Sequence, residues 1–80
     1  MRKRETLDAS GLRCPLPVLR ARRAIEALAQ GDVLTVTTTD PASEHDVPAW
    51  TNEAGHKLLS KQFAADSFIF EIEVNKVLDE

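Results

Sequence analysis

The 80-residue chain has one cysteine, no tyrosine, one tryptophan and three glycines. A single cysteine cannot close an intrachain disulfide, so no disulfide framework holds this fold, and a reducing cytosol is the simplest compartment. Dithiol chemistry of the thioredoxin type is excluded for the same reason. No apolar run approaches the ~18 residues of a membrane helix, and the opening Met-Arg-Lys-Arg-Glu leads into no signal-peptide core. Internal linkers, low-complexity tracts and repeats are also missing. What remains, at 42% hydrophobic and 29% charged residues, is globular rather than disordered. Eighty residues make one small domain, 1–80, with its function expected on the surface.

The net charge of −3 conceals an asymmetry. Residues 1–30 carry seven bases against three acids, whereas residues 31–80 carry three bases against ten acids. An acidic chain is a poor general binder of nucleic acid, because phosphate contacts need dense positive charge. Local basic surface in the first half would instead favour an acidic protein partner or an anionic ligand.

Hydrophobic periodicity predicts six elements. Thr6–Ala9 alternates polar and apolar as a short strand, and Gly11 breaks it. From Pro15 to Gln30, Val18, Ala21, Ile25 and Leu28 fall on one helical face, with Gly31 placed as a C-cap. Val33–Thr39 is β-branched and reads as a second strand with Leu34 and Val36 inward. A second helix is expected from Asp40 or Ser43, as cap, to Ala54, with Gly55 as its stop and Val47, Trp50 and Ala54 inward. Pro48 predicts an irregular first turn or a kink in it. Lys57–Phe63 and Phe68–Val74 then form an antiparallel hairpin. The order βαβαββ predicts an α+β fold, a two-layer sandwich with a mixed four-stranded sheet and both helices on one face.

One local feature is unusual. Cys14-Pro15-Leu16-Pro17 stands where the first strand hands over to the first helix. Proline is tolerated in the first helical turn, where N–H groups have no internal acceptor, and it stiffens the chain there. Cys14 is therefore expected at the N-cap, its sulfur aimed by a rigid turn. The helix dipole, and Arg13 beside it, predict a modestly lowered thiol pKa. Replacing Pro17 is expected to loosen the turn with little loss of stability. Free cysteine is more often a small buried hydrophobe than a reactive group, but strand-to-helix junctions are where α/β folds expose their chemistry.

These residues resemble the TusA/SirA family of small sulfur-carrier proteins. The resemblance rests on Leu7-Asp8-Ala9, on Gly11-Leu12-Arg13-Cys14-Pro15-Leu16-Pro17, and on Asp40-Pro41-Ala42 and Asp46-Val47-Pro48 with Trp50. It spans residues 6 to about 74 and implies a two-layer βαβαββ sandwich. It further implies that Cys14 accepts a sulfane sulfur as a persulfide and relays it to another protein, without a cofactor. The implied donor is a cysteine desulfurase or a rhodanese-like protein. Implied acceptors feed tRNA thiolation, molybdenum-cofactor or sulfur-oxidation pathways. Arg13, Pro15, Leu16 and Pro17 form the supporting turn; Leu16 departs from the Glu of some members with the tRNA role.

Arg20, Arg22 and Arg23 follow along the first helix, either as a partner-docking surface or as an ordinary solvated face. His45 and His56 lack local metal-ligand spacing with Cys14, so no metal is expected. Asp40 reads as a helix cap, as does Asp46 if the helix restarts at Pro48, with Trp50 as core and Arg2-Lys3-Arg4 as a frayed terminus. Three functions compete: a cytoplasmic carrier that works stoichiometrically rather than as a turnover enzyme, a redox-sensing thiol, and a non-catalytic interaction module. No membrane or direct nucleic-acid partner is expected.

Overall fold

Alternation in the last strand decides which side of the sheet becomes core. A computed structural model describes residues 2–76. In it Phe70, Ile72 and Val74 are fully buried, with Phe68 packed partly buried against them. The expected domain span of 1–80 also includes Met1 and residues 77–80, which lie outside the described residues. The elements are β1 (Arg4–Ala9), α1 (Leu16–Glu26), β2 (Val33–Thr38), α2 (Ser43–Glu53), β3 (Lys57–Ala64) and β4 (Ser67–Glu73). The sheet runs β1-β2-β4-β3, with β1 and β2 parallel and β4 antiparallel to both its neighbours. α1 packs on β1 and β2, α2 packs on β3 and β4, and the two helices touch. This is the expected α+β sandwich. No helix among the described residues is long and apolar enough to cross a membrane.

Leu34 and Val36 from β2, Ala21, Ile25 and Leu28 from the α1 region, Ala9 from β1 and Val47 from α2 complete the core. Fully burying an aliphatic side chain contributes about 1.5–3 kcal/mol, so these positions dominate the driving force. α1 ends earlier than Gln30, at Glu26. The cause is Asp32, whose carboxylate accepts the Ala29 N–H at 2.8 Å and the Lys3 N–H at 2.9 Å and so turns the chain out of the helix. Gly31 is consequently not the C-cap of α1, and its N–H donates to the Val74 carbonyl at 2.9 Å.

α2 stops at Gly55 as its sequence predicts. Gly55 takes φ +84°, and the Gly55 and His56 N–H groups donate to the Asn52 and Thr51 carbonyls at 3.1 and 3.0 Å. That is the Schellman arrangement, which satisfies terminal carbonyls through a left-handed residue. Pro48 lies inside α2 and offers no N–H to the turn before it. The first turn of α2 is tight, with the Glu44 and His45 N–H groups bonding three residues back at 3.2 Å. Thr51, not Ala54, is the buried residue of the last turn, its hydroxyl donating to the Val47 carbonyl at 2.7 Å. Ala54 is exposed, and Trp50 is half-buried with its ring tilted against His56.

The basic terminus is not frayed. Arg2 pairs with Glu73 at 3.0 Å and Arg4 with Glu71 at 3.5 Å, while the Val33 N–H donates to the Lys3 carbonyl. β1 therefore starts two residues before the alternating segment that predicted it.

Candidate functional site at the Cys14 turn

Parallel pairing of β1 with β2 places their carboxyl ends side by side, with Ala9 in register with Thr38. The connections that leave those ends, residues 10–15 and 39–42, must therefore meet. Two hydrogen bonds tie them, and a third ties the sulfur to the first turn of α2. The Gly11 N–H donates to Thr39 Oγ1 at 2.8 Å, the Cys14 N–H to Asp40 Oδ2 at 2.6 Å, and the Cys14 thiol to Asp46 Oδ2 at 2.7 Å. Gly11 holds φ +79° in this turn, a conformation costly for residues with a Cβ.

Cys14 is exposed but is not the N-cap of α1. That position is taken by Pro15 with no side-chain cap, and Leu16 and Pro17 open the helix. The Leu16 N–H goes to the Arg13 carbonyl at 2.8 Å. The Cys14–Pro15 peptide bond is cis. Pro17 is fully buried, whereas Arg13, Pro15 and Leu16 are exposed. The prolines thus divide the work: Pro15 shapes the turn at the surface and Pro17 anchors it in the core.

The expected lowering of the thiol pKa is reversed. The hydrogen bond to the Asp46 carboxylate pushes Cys14 up from its ordinary value, joined by some desolvation and by the negative charges of Asp46 and Asp40. An ionised carboxylate accepts but cannot donate, so it stabilises the protonated thiol and repels the thiolate.

Neither aspartate is the helix cap its sequence position suggests. The N-cap of α2 is Ala42, without a side-chain cap. Asp40 Oδ1 accepts the Ala42 N–H at 3.2 Å just ahead of the helix, while its other oxygen serves Cys14. Asp46 lies in the first turn of a helix that does not restart at Pro48. Ser43 supports the Asp40 backbone: it is buried, its hydroxyl donates to the Asp40 carbonyl, and it shares a hydrogen bond with the Thr38 hydroxyl.

Arg20, Arg22 and Arg23 are exposed on α1, and no ion pair among the described residues involves them or Arg13. Leu16 and Leu19, 42% and 47% exposed, lie on the same helix. His56 is engaged away from Cys14, its Nδ1 accepting the Asn75 N–H at 2.9 Å.

Comparison with known proteins agrees with this architecture. The family model described as sulfurtransferase TusA matches residues 5–74. A putative sulfur carrier protein from Neisseria meningitidis serogroup A is 53% identical over 55 residues, covering 69% of this chain and 74% of its own. The sulfur carrier protein TusA of Allochromatium vinosum is 42% identical over 66 residues, covering 82% of this chain and 87% of its own. The crystal structure of a SirA-like protein from Desulfitobacterium hafniense superposes with a TM-score of 0.78 at 26% identity, covering 90% of this chain and 99% of that one. With its family match running from β1 to the residue after β4, its relatives above 40% identity and its SirA-like fold, the chain belongs to the TusA family.

Proposed function

We propose that this protein is a sulfur carrier, in which Cys14 accepts a sulfane sulfur as a persulfide and passes it to a second protein. The observation that carries the reading is the exposed sulfur of the chain's only cysteine, held on a turn tied at three points in a TusA-family fold. Relatives in that family are named sulfur carriers. An exposed, fixed thiol lets donor and acceptor reach the same atom in succession, and no second cysteine exists to strip the cargo into an internal disulfide. Such a carrier acts stoichiometrically, as one domain over the whole chain, in the cytoplasm.

The partners are a cysteine desulfurase or rhodanese-like donor and a relay protein feeding tRNA thiolation or another sulfur-transfer pathway. Exposed Leu16 and Leu19 on α1, with arginines that form no ion pair among the described residues, support docking of a protein surface with acidic groups. A sensor thiol wants a strongly lowered pKa, and Cys14 is shifted the other way. Packing alone does not account for an exposed side chain.

Intact mass after incubation with a desulfurase and free cysteine tests the reading. One added sulfur atom, removable by dithiothreitol and absent from Cys14→Ser, is the expected result. Serine at this position keeps a hydroxyl donor for Asp46, so the fold should survive. A folded wild-type protein left unmodified at Cys14 by several desulfurases and rhodanese-type donors overturns it.

A further inference from the structure

We propose that Asp46 is a positioning residue for sulfur transfer, holding the Cys14 proton in the empty carrier and turning its charge against the loaded one. The inference rests on Cys14 being the sulfur-bearing atom. Its geometric basis is the 2.7 Å contact from the thiol to Asp46 Oδ2, with Asp40 Oδ2 fixing the Cys14 backbone from the same side. Asp46 stands in the first turn of α2, where the helix N-terminus favours a carboxylate. Arg13, the base nearest Cys14 along the chain, forms no ion pair with either aspartate.

Three states follow from that contact. In the empty carrier the thiol donates to Asp46, which keeps the thiolate fraction small. An exposed cysteine is thereby shielded from peroxide and stray disulfides, both of which react with the thiolate. During loading, Cys14 Sγ attacks the outer sulfur of a donor protein's persulfide. A new S–S bond forms at Cys14 and the donor's S–S bond breaks, its electron pair leaving on the donor sulfur. The Cys14 proton passes by way of Asp46 to that leaving thiolate, so no external oxidant or reductant is consumed.

The loaded state reverses the interaction. Persulfides are more acidic than thiols, so the new terminal sulfur is anionic near neutral pH and has no proton to donate. It stands beside the Asp46 carboxylate that the thiol bonded, and like charges that close are mutually destabilising. Asp46 therefore stabilises the empty carrier and destabilises the loaded one, which favours handing the cargo on.

The test uses the full chain and reads two quantities that a purely structural residue would leave alone. The first is the pH dependence of Cys14 alkylation by iodoacetamide. The second is the equilibrium partition of sulfur between the carrier and excess glutathione, read by intact mass at neutral pH. Asp46→Asn should lower the alkylation midpoint, because it removes the like charge that disfavours the thiolate. More thiolate, of lower intrinsic nucleophilicity, then raises the rate at pH 7 by less than the thiolate fraction itself rises. The loaded-to-empty ratio should rise severalfold in the same variant.

Wild type supplies a control that needs no variant, because Cys14 must titrate above an unstructured peptide spanning residues 12–17. A midpoint at or below the peptide's overturns the inference. So does a wild type that loads normally while Asp46→Asn changes neither midpoint nor partition. A wild type that never gains sulfur overturns the carrier reading, and this inference with it.

Discussion

Cys14 and Asp40 are joined across 26 residues of chain by a 2.6 Å hydrogen bond from the Cys14 N–H to Asp40 Oδ2. The other oxygen of Asp40 accepts the Ala42 N–H, so one carboxylate holds the turn before α1 and the turn before α2 together. Neither turn has regular structure of its own. What fixes the sulfur is thus the parallel pairing of β1 with β2, which brings the two connections to one end of the sheet, and then the bonds that Thr39, Asp40 and Asp46 make to the turn there.

Asp40→Ala should accordingly loosen the turn without dissolving the core. Both lost hydrogen bonds are at the surface, where water replaces part of what is removed, so the cost is about 1 kcal/mol. In a domain of this size that lowers Tm by about 4–8 °C. Thermal melts followed by circular dichroism measure it, with Asp40→Asn, which keeps an acceptor, expected between the two. Identical melting of all three proteins would remove Asp40 from the account.

Pro17→Ala should cost stability, contrary to what the sequence alone suggests. Its ring is fully buried, and removing the equivalent of two methylenes costs about 1.5 kcal/mol at 0.8 each. Relaxing the unfolded chain adds about 0.4–1 kcal/mol. A loss near 2 kcal/mol is expected, read as a lower urea midpoint at an unchanged m-value. A midpoint equal to wild type would show that Pro17 acts only on the rigidity of the turn.

The sheet was the most legible part of the chain, because Phe70, Ile72 and Val74 and then Leu34 and Val36 announce their face by simple alternation. Gly55 was legible as a helix stop because only a left-handed residue makes the closing bonds of α2. What could not be read depended on contacts distant in sequence. Asp32 ends α1 through the backbone of Lys3 as well as of Ala29, and helical periodicity carries no trace of that. Asp40 and Asp46 look like caps because local rules assign aspartate near a helix start to the nearest free N–H. Knowing that β1 and β2 are parallel neighbours would have placed both beside Cys14. The direction of the thiol's shift was missed with them, since a local view contains only the helix dipole and Arg13.

Asp32 should make stability fall in acid. Its carboxylate accepts two backbone N–H groups, from Ala29 first and then Lys3, and these hold its pKa below the ordinary value. A folded-state pKa below the unfolded one means the contribution is complete above about pH 4, the unfolded carboxylate range. It is lost as pH falls through the folded value. The Tm difference between wild type and Asp32→Asn should therefore be positive and level from pH 7 to pH 5, then shrink below pH 4. A difference independent of pH would assign Asp32 a purely geometric role.

Arg20 and Arg23 test whether the basic side of α1 guides partners. Both are exposed, and neither is neutralised by an ion pair among the described residues. Replacing both with Glu should leave melting nearly unchanged, because exposed charges without partners contribute little to stability. Encounter is another matter. Fields from unpaired surface charge raise association rates by tenfold or more, and salt screens them over about 30 Å at 0.01 M but about 10 Å at 0.1 M. The association rate of the double variant with a sulfur donor should fall about tenfold at low salt, by stopped-flow or surface plasmon resonance. Wild type should slow as salt rises, until the two proteins converge. Parallel curves insensitive to salt would return these arginines to the solvated face of an ordinary helix, leaving exposed Leu16 and Leu19 as the contacts that bring a donor to Cys14.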